Sequence, residues 1–141
     1  MKCKADIEVL AESKLEDAKC LLANGRYDGA YYLAGYVIEL LLKASVCKTL
    51  GIDDFFTFDS NKAKQEIYKP YKAHDYKQLL LFSGLYRDFE NESNTASFKF
   101  HWSVVILWDE NSRYLTGKNQ KEVESFISSV SEIAEWIKKK L

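Results

Sequence analysis

The chain has 141 residues, 47% hydrophobic and 29% charged, with 20 lysines and arginines against 21 aspartates and glutamates. With one Pro, six Gly, nine Tyr, eight Phe and three Trp, it is neither a disordered chain, which lacks apolar surface to bury, nor a β-sandwich, which needs more turn-forming residues. A net charge of -1 excludes a general polyanion binder and leaves room for a local basic patch.

The first predicted helix runs from about Asp6 to Asn24. Ile7, Ala11, Leu15, Ala18 and Leu22 recur at three- and four-residue spacing, and Cys20 falls on the opposite face, expected to be solvent-facing or at an interface. Asn24-Gly25 is a helix stop. A second helix follows from Tyr27 or Asp28 to Leu50, with Asp28 placed to cap its start and Gly51 to end it. Ala30, Leu33, Ala34, Val37, Ile38, Leu41 and Ser45 form one stripe, and most of the remaining surface is apolar as well. A helix apolar on nearly all sides is central, or shares itself between the bundle and a partner. Only Glu39 and Lys43 carry charge in its middle.

Residues 51–73 read as a connection with Phe55, Phe56 and Phe58 as buried anchors, a short helix from Asn61 to Tyr68, and an end at Pro70. Lys62 to Lys77 holds five Lys against Glu66 and Asp75 and interleaves them with tyrosines, a pattern of solvated loops and also of nucleotide-binding surfaces. A third helix spans His74 or Asp75 to Phe82 and reaches toward Phe89. A fourth begins near Asn94 or Thr95 and runs to Trp108, with Phe98, Trp102, Val105 and Ile106 inward. The last spans about Asn119 to Lys140, with Val123, Phe126, Ile127, Val130, Ile133, Ala134 and Ile137 as a 3.6-residue stripe. These elements predict one all-α domain over residues 1–141, a four- to five-helix up-and-down bundle.

Chemistry-bearing motifs are few. His74 and His101 are the only histidines, and neither lies near a second His or Cys at ligand spacing, so no metal is expected. No Walker loop, GxGxxG or GxSxG occurs, and no cofactor is expected. Cys3, Cys20 and Cys47 are odd in number and lack CxxC spacing, which fits a reducing cytoplasm. Met1 to Asp6 carries no apolar signal-like stretch. The apolar run Ala30 to Leu42, interrupted by Glu39, is too short to span a bilayer, so no membrane is expected. Two pairs have the i, i+4 spacing of helical ion pairs: Glu39 with Lys43, and Asp109 with Arg113 if the fourth helix continues. Each is either a plain stabilising pair or a polar spot facing a cleft. Tyr31, Tyr32 and Tyr36 exceed what one core face needs, which points to a second subunit.

The stretch Ala23 to Ala44, ANGRYDGAYYLAGYVIELLLKA, resembles the second-helix pattern of the HEPN family of bacterial and archaeal helical-bundle domains. His74-Asp75-Tyr76 with Leu79-Leu80 is similar to that family's third-helix start. Trp108-Asp109-Glu110-Asn111-Ser112-Arg113-Tyr114 is similar to its Trp–spacer–Arg-Tyr element. The resemblance spans most of residues 6 to 137 and implies an HEPN-like bundle that forms a homodimer. Many members of the family are metal-independent RNases of toxin–antitoxin or phage-defence systems. Others accompany small nucleotidyltransferases or bind nucleotides. The RNase subset has an Arg followed after four to six residues by a His. After Arg113 that window holds Lys118, Asn119 and Gln120, and His101 lies before it.

The expected role is therefore a non-catalytic binding module, a partner of a nucleotidyltransferase or a binder of nucleotide or RNA. Its cleft would use Glu39, Lys43, His74, Arg113 and Tyr114. The alternatives are an RNase with a diverged site, in which Arg113 steadies the phosphate and His74 replaces the missing base, and a purely structural dimeric interaction protein.

Overall fold

The computed structural model describes residues 4–51, 69 and 74–141, and among them every regular element is helical. The elements are α1 (Lys4–Ala23), α2 (Tyr27–Leu50), α3 (Tyr76–Phe82), α4 (Tyr86–Glu92), α5 (Ala96–Val105), a 3-10 helix (Glu110–Tyr114) and α6 (Gln120–Lys138). The protein is all-α. The anchors Phe55, Phe56 and Phe58, the helix expected over Asn61 to Tyr68, Pro70 and most of the Lys62–Lys77 stretch lie outside the described residues.

Local signals set most ends. Gly25 and Gly51 adopt φ values of +73° and +64°, the left-handed conformation that ends α1 and α2. Asp75 caps α3 by accepting from the Gln78 N–H at 3.0 Å, and Asn119 caps α6 by accepting from the Glu122 N–H at 2.9 Å. Three expectations change. Asp28 does not cap α2: Arg26 holds that position, and the Asp28 carboxylate instead accepts from the Lys118 N–H at 2.9 Å. The extended third helix is two short ones, because the chain turns at Ser83-Gly84. The Ser83 carbonyl accepts hydroxyl bonds there from Ser45 at 2.9 Å and Thr49 at 2.6 Å, which dock the turn on α2. The fourth helix stops at Val105, short of Trp108.

Burial follows the stripes. Ile7, Ala11 and Ala18 of α1, Ala34, Ile38 and Leu41 of α2, and Val123, Val130 and Ile137 of α6 are all at 0% exposure. α2 packs against α1, α6, α3 and the 3-10 helix, so it is central. It is also long and apolar enough to cross a membrane by length and composition alone, but 83% of its most apolar 18-residue window is buried inside the bundle. Tyr31 is a core residue, with its ring 4.2 Å from that of Phe126. It needs no second subunit to cover it. Cys20 is exposed and Cys47 buried.

Candidate functional site

Glu39 and Lys43 lie one turn apart on α2 and are buried to 1% and 4% exposure. Their ion pair, 2.7 Å from Nζ to Oε1, is an interior pair rather than a surface helix pair. An interior charge is costly unless its partners are in place. The second partner comes from across the fold. His74, immediately before the cap of α3, brings Nδ1 to 2.7 Å from the same Glu39 oxygen. A carboxylate only accepts, so Nδ1 carries the hydrogen of this bond. Nε2 lies 3.6 Å from Glu110 Oε2 on the 3-10 helix, and the His74 side chain is 46% exposed. A buried carboxylate thus aims a half-exposed imidazole outward.

The roof over this cluster is aromatic. The Trp108 ring stacks on Tyr76 at 5.4 Å and 13°, and meets Tyr36 edge-on at 5.2 Å. The Tyr76 hydroxyl donates to the Gly35 carbonyl. Burial, and then the negative charge of Glu39, hold the Tyr76 phenol well above its ordinary pKa. Tyr32 donates to the Tyr36 hydroxyl at 2.9 Å. Burial, with this hydrogen bond next, pushes Tyr36 up as well. Both phenols therefore stay protonated, Tyr76 donating to Gly35 and Tyr36 accepting from Tyr32.

The pair expected from Asp109 and Arg113 does not form as a helical pair. Asp109 has extended backbone and caps the 3-10 helix, its carboxylate accepting from the Asn111 N–H at 2.8 Å. The Ser112 hydroxyl accepts from the Asp109 N–H at 3.2 Å, closing a capping box. Arg113 lies 4.8 Å over the Tyr114 ring. The hydroxyls of Tyr114 and Tyr32 raise the pKa of its guanidinium.

Of the five residues singled out from sequence, Glu39, Lys43 and His74 touch directly. Arg113 does not touch them: it bonds Tyr32, which bonds Tyr36, and Tyr36 feels the charge of Glu39. Tyr114 is 70% exposed at the outer edge, against Arg113. His101 belongs elsewhere: its Nδ1 is 3.0 Å from Ser129 Oγ on α6, and it lines a cleft of about 200 Å³ with Glu132 and Trp136. Among the described residues no group of three or more His, Cys, Asp or Glu is placed to hold a metal ion.

Sequence reasoning did not single out Glu110 or Gly35. Glu110 had no signal, because its role depends on where the chain leaves α5. Gly35 had one: a glycine inside a strongly apolar helix costs about 1 kcal/mol relative to alanine, and such a residue marks a close approach. Compared with known proteins, the chain matches no family model, no curated protein and no solved structure.

Proposed function

We propose that this chain is an HEPN-like binding module that takes a nucleotide or RNA, as a homodimer or beside a nucleotidyltransferase, at the polar face of the central helix where Glu39, Lys43, His74, Arg113 and Tyr114 lie. The observation that carries this reading is the anchored imidazole: the buried Glu39 carboxylate holds half-exposed His74 by Nδ1, and Nε2 lies 3.6 Å from Glu110 on the 3-10 helix that bears Arg113. An exposed guanidinium stacked on an exposed tyrosine is a fitting contact for a phosphate next to a base.

A second reading has its own support. A carboxylate that orients a histidine is also how a general base is prepared. In that reading His74 takes the 2′-hydroxyl proton of RNA and Arg113 steadies the phosphate.

One experiment separates them. The purified protein is titrated with fluorescein-labelled single-stranded RNA of mixed sequence, and incubated with the same RNA without metal, beside Arg113→Ala and His74→Ala. Saturable binding weakened by both substitutions, with the RNA left intact, is the expected result. Cleavage that both substitutions abolish would replace the binding reading with the RNase one. Neither binding nor cleavage would leave an interaction protein, with sedimentation deciding whether it is dimeric.

A further inference from the structure

Trp108 carries no charge and ends no helix, yet its setting is unusual for a core residue. It is 2% exposed, and its indole nitrogen has no hydrogen-bond partner. The other buried side-chain atom without a partner among the described residues is Glu39 Oε2, on the same helix that Trp108 covers. The indole lies against the backbone of α2 at Gly35. A Cβ placed on Gly35 would fall 2.1 Å from Trp108 Cε2 and 2.2 Å from Cδ2 and Nε1. No side chain fits there unless the indole moves, because these are atoms of a rigid ring rather than the far end of a flexible chain. Tyr76 stacks on the same indole, and its hydroxyl is tied to the carbonyl of Gly35 itself.

Trp108 is thus fixed in depth by α2 and in orientation by Tyr76. An aliphatic side chain would fill space here without burying an unpaired N–H, but it would not set an orientation. A large planar ring with two torsions does so. The next residues, Asp109 to Ser112, form the capping box that stiffens the 3-10 helix. Glu110 and Arg113 follow on that stiff turn, so their distance from Glu39 and His74 is set by how deeply the indole sits.

We infer that Gly35 and Trp108 are a notch and key that places Glu110 against His74 and Arg113 against Tyr32, making Trp108 a positioning residue for the polar site. Its consequence for binding rests on the function proposed above. The geometry itself is read without any ligand.

The test uses the full chain with Gly35→Ala, Trp108→Leu and the double variant. Trp108→Phe serves if the leucine variant does not fold. Gly35→Ala should lower Tm by about 5 °C or more, because the added methyl forces the indole out. In the Trp108→Leu background the same change should be neutral or raise Tm, since alanine is the better helix former once the key is gone. Equal losses in both backgrounds would overturn the notch.

Positioning is read from the His74 ring and Arg113 Nε–H resonances by NMR. Both should move in Gly35→Ala and Trp108→Leu, and stay in place in Ile133→Val, a core variant away from the site. Resonances that stay put, or that move equally in Ile133→Val, would overturn the positioning role. With the labelled RNA as probe, Trp108→Leu should weaken binding about tenfold, as an ångström-scale misplacement does. RNA that fails to bind the wild-type protein would count against the proposed function and leave the NMR result to decide this inference.

Discussion

The aliphatic seam among α1, α2 and α6 and the polar cluster around Glu39 share the same central helix but are held by different forces. In the seam, Ile7, Ile38, Leu41, Val130 and Ile137 are excluded from water, and none of them carries a polar side-chain atom to satisfy. Its stability is spread over many weak, non-directional contacts. In the polar cluster, a single oxygen of Glu39 holds both Lys43 and His74, and the tyrosine hydroxyls and the indole must sit in particular places. That arrangement is directional and brittle: remove one partner and a buried charge is left behind. The contrast identifies the polar cluster as the part of the fold that burial alone does not account for. Buried charges cost stability unless they are paired.

The largest expected effect breaks the polar cluster. Lys43→Met should cost about 3–5 kcal/mol in urea unfolding, because it strands the Glu39 carboxylate inside. Adding Glu39→Leu should recover most of that loss. A single variant within about 1 kcal/mol of wild type would show that the pair is not what makes this cluster brittle. The seam should behave in the opposite way toward the same replacement. Leu41→Met should cost less than about 1.5 kcal/mol, since volume is conserved, whereas Leu41→Ala should cost about 3 kcal/mol for the cavity it leaves.

Tyr76→Phe is smaller again. It keeps the stack on Trp108 and removes the hydroxyl that bonds the Gly35 carbonyl. A loss of about 1 kcal/mol in chemical denaturation is expected, and no loss would mean that the ring alone does the holding.

The smallest effect belongs to the surface, which serves as the control. Lys138 bonds Glu12 at 2.6 Å between α6 and α1, with the two side chains 28% and 53% exposed. The ammonium holds the Glu12 carboxyl below its ordinary pKa. A carboxyl depressed in the folded state stabilises the protein above the ordinary carboxylate range, and that stabilisation is lost as pH falls through the depressed value. Lys138→Ala should therefore cost no more than about 0.5 kcal/mol at neutral pH after solvent screening. The difference from wild type should vanish in acid. A gap that persists in acid would mean that the stem of Lys138 matters more than its charge.

Sequence alone determined the helices whose causes are local. The turn at Gly25 and the end at Gly51 act within a few residues of themselves, and the helix starts placed near Asp75 and Asn119 are where those residues cap α3 and α6. The stripes on α1 and α6 are legible for the same reason, because a 3.6-residue period is a property of the segment. Glu39, Lys43 and His74 stood out as polar residues in apolar or helix-starting surroundings, and the fold brings all three together.

Tertiary structure decided the rest, through contacts between segments far apart in the chain. Leu107 and Trp108 extend the apolar pattern of α5, yet the helix stops at Val105, and the Trp108 indole lies at Gly35 of α2. Asp28 looks like a cap and instead binds the backbone of Lys118. Tyr31 looks surplus and is buried against Phe126. Whether Glu39 and Lys43 face water or the interior depends on which rings close over them, and a period along one helix does not carry that information. Hydrophobic patterning says which face turns inward, and only the partner across the gap determines what an inward charge will meet.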